Sequence, residues 1–197
     1  MDADEIASDD SLPFRFPLDE STIDGTFCYG WFGVSNKCTP GIVDCYEYPV
    51  RQFHAAEDYK APAGTPVYAI ADRHITFSGA TGGYGLLIIN DHPQVNLYSL
   101  YGHLSPSRCK LETDTEVKRG DLITYLGDPD ENGGSAESPV VPHLHFGICA
   151  GQTADYPTKA SGVSWRGGSG FARRTSAGCN LPWSSPAMKY LLEDIRS

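Results

Sequence analysis

From about Arg51 onward the chain carries short apolar runs at Val67–Ile70, Ile75–Phe77, Leu86–Ile89, Leu97–Tyr101, Leu122–Leu126 and Leu144–Ile148. Clusters such as Pro62-Ala63-Gly64, Gly82-Gly83 and Asp91-His92-Pro93 separate them. Short runs between turn formers, with no helix-length pattern among them, predict a mainly β, antiparallel domain. The sharpest alternation is Pro142-His143-Leu144-His145-Phe146-Gly147-Ile148. In a strand it turns Leu144 and Phe146 to one face and both imidazoles to the other. The one helical pattern is Pro186–Ile195, with Met188, Leu191, Leu192 and Ile195 apolar and Ser184 or Ser185 as cap; it reads as a C-terminal docking helix. Residues 157–178 are rich in Gly, Ser and Arg and read as a surface excursion.

This patterning divides the chain into four parts. Residues 1–25 form an acidic tail or tether, and residues 26–50 a flap rich in Cys and aromatics (Phe27, Tyr29, Trp31, Phe32, Tyr46, Tyr48). Residues 51–150 form the core, and residues 151–197 the excursion and terminal helix. A chain of 197 residues, 40% of them hydrophobic, is long enough for one buried core and is expected to be monomeric. The net charge of −10 argues against nucleic acid or anionic membrane surfaces as partners. No apolar run reaches membrane-spanning length. The acidic start is unlike a signal peptide, so the chain is either cytosolic or has lost a leader. Six cysteines at 28, 38, 45, 109, 149 and 179 include no Cys-x-x-Cys pair. They read as disulfide formers, with Cys149 and Cys179 as the expected pair across the excursion. That favours an exported protein, periplasmic, envelope-associated or secreted, with its leader removed.

Candidate chemistry gathers around the central strand. In His54-Ala55-Ala56-Glu57-Asp58, an offset of four puts His54 and Asp58 on one side in either a strand or a helical turn. Two histidines and one carboxylate leave the fourth tetrahedral position of Zn²⁺ open for water, whose pKa the metal lowers toward about 7. The same donors also form the facial triad of Fe(II) oxygenases, which an oxidising compartment disfavours. His103 sits in Tyr101-Gly102-His103-Leu104-Ser105, where strand meets loop. Glu57, beside Asp58, faces the other way in a strand. His74 and His92 read as structural. Gly82-Gly83-Tyr84-Gly85 lacks the Lys-Ser or Lys-Thr of a phosphate loop and reads as a groove wall. The stretch 127–134 reads as a second wall, its carboxylates lacking the spacing of an EF-hand.

Taken in order, His54-x₃-Asp58, Ala61-Pro62-Ala63-Gly64-Thr65-Pro66-Val67-Tyr68-Ala69, Gly83-Tyr84-Gly85, Tyr101-Gly102-His103-Leu104-Ser105, Val117-Lys118-Arg119-Gly120-Asp121 and Pro142-His143-Leu144-His145-Phe146 resemble the M23 zinc metallopeptidases. These are the lysostaphin- and LytM-like peptidoglycan endopeptidases. The resemblance implies a two-sheet antiparallel β domain of the LytM/lysostaphin, duplicated hybrid motif-like type. It also implies one Zn²⁺ per chain on His54, Asp58 and His145, with His103 and His143 as catalytic histidines. Peptide cross-links of bacterial peptidoglycan are the implied substrate. Two positions depart from the family pattern: Ala56, and Asp72-Arg73-His74, where the family often has Gly. Neither is an implied ligand or catalytic histidine. A non-catalytic LytM-like wall-binding module or hydrolase activator is the alternative, and retention of all five positions argues against it.

Overall fold

The computed structural model describes residues 14–24, 56–81, 84–109, 111–133 and 139–150. They form eight strands: β1 (Glu57–Lys60), β2 (Pro66–Tyr68), β3 (Arg73–Thr81), β4 (Gly85–His92), β5 (Leu97–Leu104), β6 (Glu116–Val117), β7 (Leu122–Tyr125) and β8 (His143–Ala150). One six-stranded sheet has the order β1-β8-β5-β4-β3-β6, and β2 pairs with β7 in a second sheet. Every pairing is antiparallel. The mainly β, two-sheet expectation holds, and each of the six apolar runs lies in or overlaps a strand. The flap, the excursion and the terminal helix lie outside the described residues, as do His54 and four of the six cysteines. Among the described residues no helix is long and apolar enough to cross a membrane.

Both faces of the large sheet are covered, which is why its central strands are apolar at nearly every position. Leu86, Ile88, Tyr101, Leu144, Phe146 and Ile148 point to the main core, where they meet Val67, Ala69, Ile70, Ile123 and Leu126 on and around the small sheet. The alternate residues Leu87, Ile89, Tyr98, Leu100 and Cys149 form a second cluster on the opposite face. On β8 that second face continues through Gly147 to His145 and His143, so the two histidines stand at one end of a buried apolar surface.

Residues 14–24, within the stretch expected as an acidic tail or tether, pack on the domain. Phe14 and Leu18 are buried in the main core, and Phe16 packs edge-on against Tyr59 and Phe146. Main-chain bonds from Arg15 to Ile70, from Tyr68 to Pro17 and from Asp24 to Lys60 fix the segment. Its period-two apolar pattern, Phe14, Phe16 and Leu18, outweighs the acidic composition around it.

The main core also holds a chain of polar groups. His92 Nε2 lies 2.9 Å from Ser99 Oγ, which donates to Tyr101 Oη at 3.1 Å; that oxygen accepts from the Ile70 amide at 3.2 Å. His92 is thus a core residue, and His74 lies on the surface 3.8 Å from Glu116. Both agree with a structural reading.

Candidate active site

Strand register builds the first half of the site. β1 runs antiparallel to β8 with Asp58 opposite His145 and Lys60 opposite His143. Directly opposed residues share a face, so the Asp58 carboxylate lies among the β8 imidazoles. Asp58 Oδ1 is 2.8 Å from His145 Nδ1 and 3.7 Å from His143 Nε2. All three side chains are buried. Glu57 points to the other face, where the Tyr59 hydroxyl donates to its carboxylate. Burial, with that carboxylate adding, pushes the Tyr59 pKa up. The expectation that Glu57 turns away from Asp58 therefore holds.

His103 reaches the site through a break in alternation. A regular β5 would place it with Ser99 and Tyr101 on the main-core face. Its φ is instead 61°, and Leu86 and Ile88 of β4 pair with Leu104 and Tyr101 of β5, two steps against three. This extra residue is a bulge, a device that re-aims a side chain; non-glycine residues adopt such a φ only where their surroundings fix it. Here the His103 amide donates to Tyr84 O at 2.7 Å and the Gly127 amide donates to His103 O at 3.0 Å. The His103 ring therefore lies beside His143, centroids 4.2 Å apart, and 5.9 Å from the His145 ring.

The hydrogen bonds assign the ring nitrogens. His103 Nδ1 is 2.6 Å from Asn132 O, and His143 Nδ1 is 2.7 Å from Val141 O. A carbonyl oxygen only accepts, so each Nδ1 carries the proton and each Nε2 is left as the basic atom. His145 instead turns its Nδ1 toward Asp58. The two members of His-x-His thus present different nitrogens to one carboxylate. Burial holds the His103 ring neutral, its pKa pushed down to about 3, with His143 and His145 adding to the effect.

Tyr84 closes one side of the site, its ring 5.3 Å from that of His145 and 6.5 Å from that of His103. Gly102 makes this approach possible: a Cβ there would stand 2.9 Å from Tyr84 Cδ1 and 3.4 Å from His145 Cβ. The 127–133 stretch borders the site through Asn132 O. Two of its three carboxylates are engaged elsewhere: Asp128 accepts from Arg108 at 2.7 Å, and Glu131 accepts from Ser105 Oγ and from the Asp128 amide. Gly102, Asn132 and Val141 escaped sequence reasoning. An isolated glycine inside a strand, which marks a bulge or a close backbone approach, was the signal available for Gly102.

Asp58 Oδ1 and His145 Nδ1 are buried, adjacent and of the oxygen and imidazole types that Zn²⁺ accepts. The pair fits one zinc ion. Among the described residues no three such side chains form a metal-holding group; His54, the remaining expected ligand, lies outside them.

The fold is a two-sheet antiparallel β domain with an Asp/His cluster across the neighbouring strands β1, β8 and β5. Residues 52–157, more than half of the chain, match the Peptidase family M23 profile, and the chain belongs to that family. It is 37% identical over 95 residues to the DD-carboxypeptidase/endopeptidase Mpg of Neisseria meningitidis serogroup B (strain MC58), a match covering 48% of this chain and 20% of that protein. An uncharacterized protein of Haemophilus influenzae is 36% identical over 88 residues, 45% of this chain and 19% of that one. The chain thus spans about a fifth of the length of the curated relatives it matches. Among solved structures, a mutant catalytic domain of the prophage-encoded M23 protein EnpA from Enterococcus faecalis aligns with a TM-score of 0.47 at 26% identity, covering 69% of this chain and 90% of that one.

Proposed function

We propose that this chain is a zinc-dependent endopeptidase that hydrolyses peptide cross-links of bacterial peptidoglycan and works outside the cytoplasm. The observation that carries the reading is the buried cluster in which Asp58 Oδ1 meets His145 Nδ1 at 2.8 Å, with the His103 and His143 rings beside it. Membership of a peptidase family and the names of the neisserial relatives support the substrate class. Asp58 and His145, with His54, would hold the metal. When bound, Zn²⁺ lowers the pKa of a water toward about 7 and polarises a carbonyl.

The remaining steps belong to the chain. His103 and His143 each keep Nδ1–H on a backbone carbonyl, so each Nε2 is available to take a proton from the attacking water or to return one to the departing amine. Their shared tautomer suits a pair that divides these duties at the scissile peptide. Tyr84 and Asn132 border the histidines. The test is incubation of purified protein with cross-linked peptidoglycan fragments, followed by mass spectrometry of the released peptides. Chelator should abolish cleavage and added zinc should restore it. Cleavage that persists after complete metal removal would refute the reading.

A further inference from the structure

One residue touches the anchoring of both proton-handling histidines. The main-chain oxygen of Asn132 accepts the His103 Nδ1 proton at 2.6 Å. Its side-chain amide Nδ2 donates to Val140 O at 3.1 Å, and the next carbonyl, that of Val141, accepts the His143 Nδ1 proton at 2.7 Å. The Val140 amide donates to Pro129 O at 3.0 Å, so the segment entering β8 hangs on the 128–133 turn by two bonds. Asn132 is fully buried, and its Oδ1 has no hydrogen-bond partner among the described residues. Burying an amide with its acceptor unused is unfavourable, and the donor half, committed to Val140, accounts for an amide at this position. Packing holds its peptide in place: Gly85, at φ +63°, lies so close that a Cβ there would meet Asn132 C at 2.5 Å and Gly133 N at 2.7 Å.

We propose that Asn132 is a positioning residue that fixes the ring orientation and tautomer of both His103 and His143, the first through its own carbonyl and the second through Val140. Partners that orient functional imidazoles typically change activity by about 10- to 100-fold when removed. The orientation claim stands on hydrogen bonds alone; only its effect on rate rests on the peptidase reading.

The experiment is long-range ¹H–¹⁵N NMR of the imidazoles in the full chain, with zinc added, for wild type, Asn132→Ala and Asn132→Asp. The aspartate variant keeps the shape and removes the donor. Wild type should show both His103 and His143 as Nδ1–H tautomers. Either variant should give mixed tautomers at His143 and leave His103 as the Nδ1–H tautomer, because its acceptor is a main-chain carbonyl held by packing against Gly85, with zinc content unchanged. If turnover is present, kcat should fall about 10- to 100-fold with KM little changed. Arg108→Ala, which frees Asp128 on the same turn without touching Asn132, should leave both tautomers intact. Unchanged tautomers in both Asn132 variants, or the same tautomer change in Arg108→Ala, would overturn the proposal. Absence of peptidase activity in wild type would count against the functional reading and leave the tautomer result to decide this one.

Discussion

His92 gives the protein a defined acid sensitivity that can be worked out from its surroundings. Burial lowers its pKa from 6.5 to about 4; a backbone hydrogen bond to Asp72 partly offsets this and the Arg73 charge adds to it. The unfolded chain therefore binds a proton at this residue between about pH 6.5 and pH 4 while the folded chain does not, and stability falls as pH falls through that window. Each pKa unit corresponds to about 1.4 kcal/mol, so the full loss is about 3 kcal/mol, of which about 2 kcal/mol is gone near pH 5. The assay is urea unfolding of the metal-free protein at several pH values for wild type and His92→Gln. The glutamine variant retains a polar group facing Ser99 and does not titrate. His103 contributes a loss of the same sign in both proteins, so the difference between the two pH slopes isolates His92. Wild type should lose about 2 kcal/mol more than the variant between about pH 7.5 and pH 5. Equal slopes would refute the reasoning.

Three further outcomes follow from packing and sulfur chemistry. Gly102→Ala should force Tyr84 away from His145, destabilising the fold by about 1–3 kcal/mol and lowering turnover; thermal unfolding and peptide cleavage are the readouts. Phe14→Ala should cost about 3 kcal/mol in urea unfolding, since the ring is buried against the main core and edge-on to His92; a change below about 0.5 kcal/mol would mean that residues 14–24 are a tail after all. Cys109 is a partly buried free thiol, and Cys149 is expected to be held in a disulfide. Alkylation of denatured, unreduced protein should therefore label Cys109 and spare Cys149.

What the sequence discloses and what it hides follow from where the information resides. The central strands are visible because both sheet faces are covered, which forces apolar residues on every strand between β3 and β8. β1 is hidden because Glu57-Asp58-Tyr59-Lys60 is polar, yet Glu57 and Asp58 are buried by pairing with β8 and by the site itself. β3 extends over Arg73–Thr81, well past its Ile75–Phe77 run, because pairing with β4 holds its far end through Thr81 and pairing with β6 holds Arg73 and His74. The common face of His143 and His145 is a matter of parity and can be read directly. His103 cannot be placed that way: alternation points it at the core, and only the bulge at φ 61° turns it to the site. The carbonyls of Asn132 and Val141 are main-chain atoms without a residue signature, so the groups that set the histidine tautomers emerge only from the folded chain. The acidic composition of the first twenty-five residues masks the Phe14, Phe16 and Leu18 alternation that docks them.

The central claim is that the two histidines of β8 do different jobs, and zinc stoichiometry measured beside turnover for His143→Ala and His145→Ala tests it most directly. His145 turns its Nδ1 to Asp58, so His145→Ala should lose zinc and activity together. His143 ties its Nδ1 to Val141 and offers Nε2, so His143→Ala should retain zinc and lose about 10²- to 10⁴-fold in kcat. Loss of zinc from His143→Ala with retention by His145→Ala would reverse the roles, and full activity in both would contradict the account.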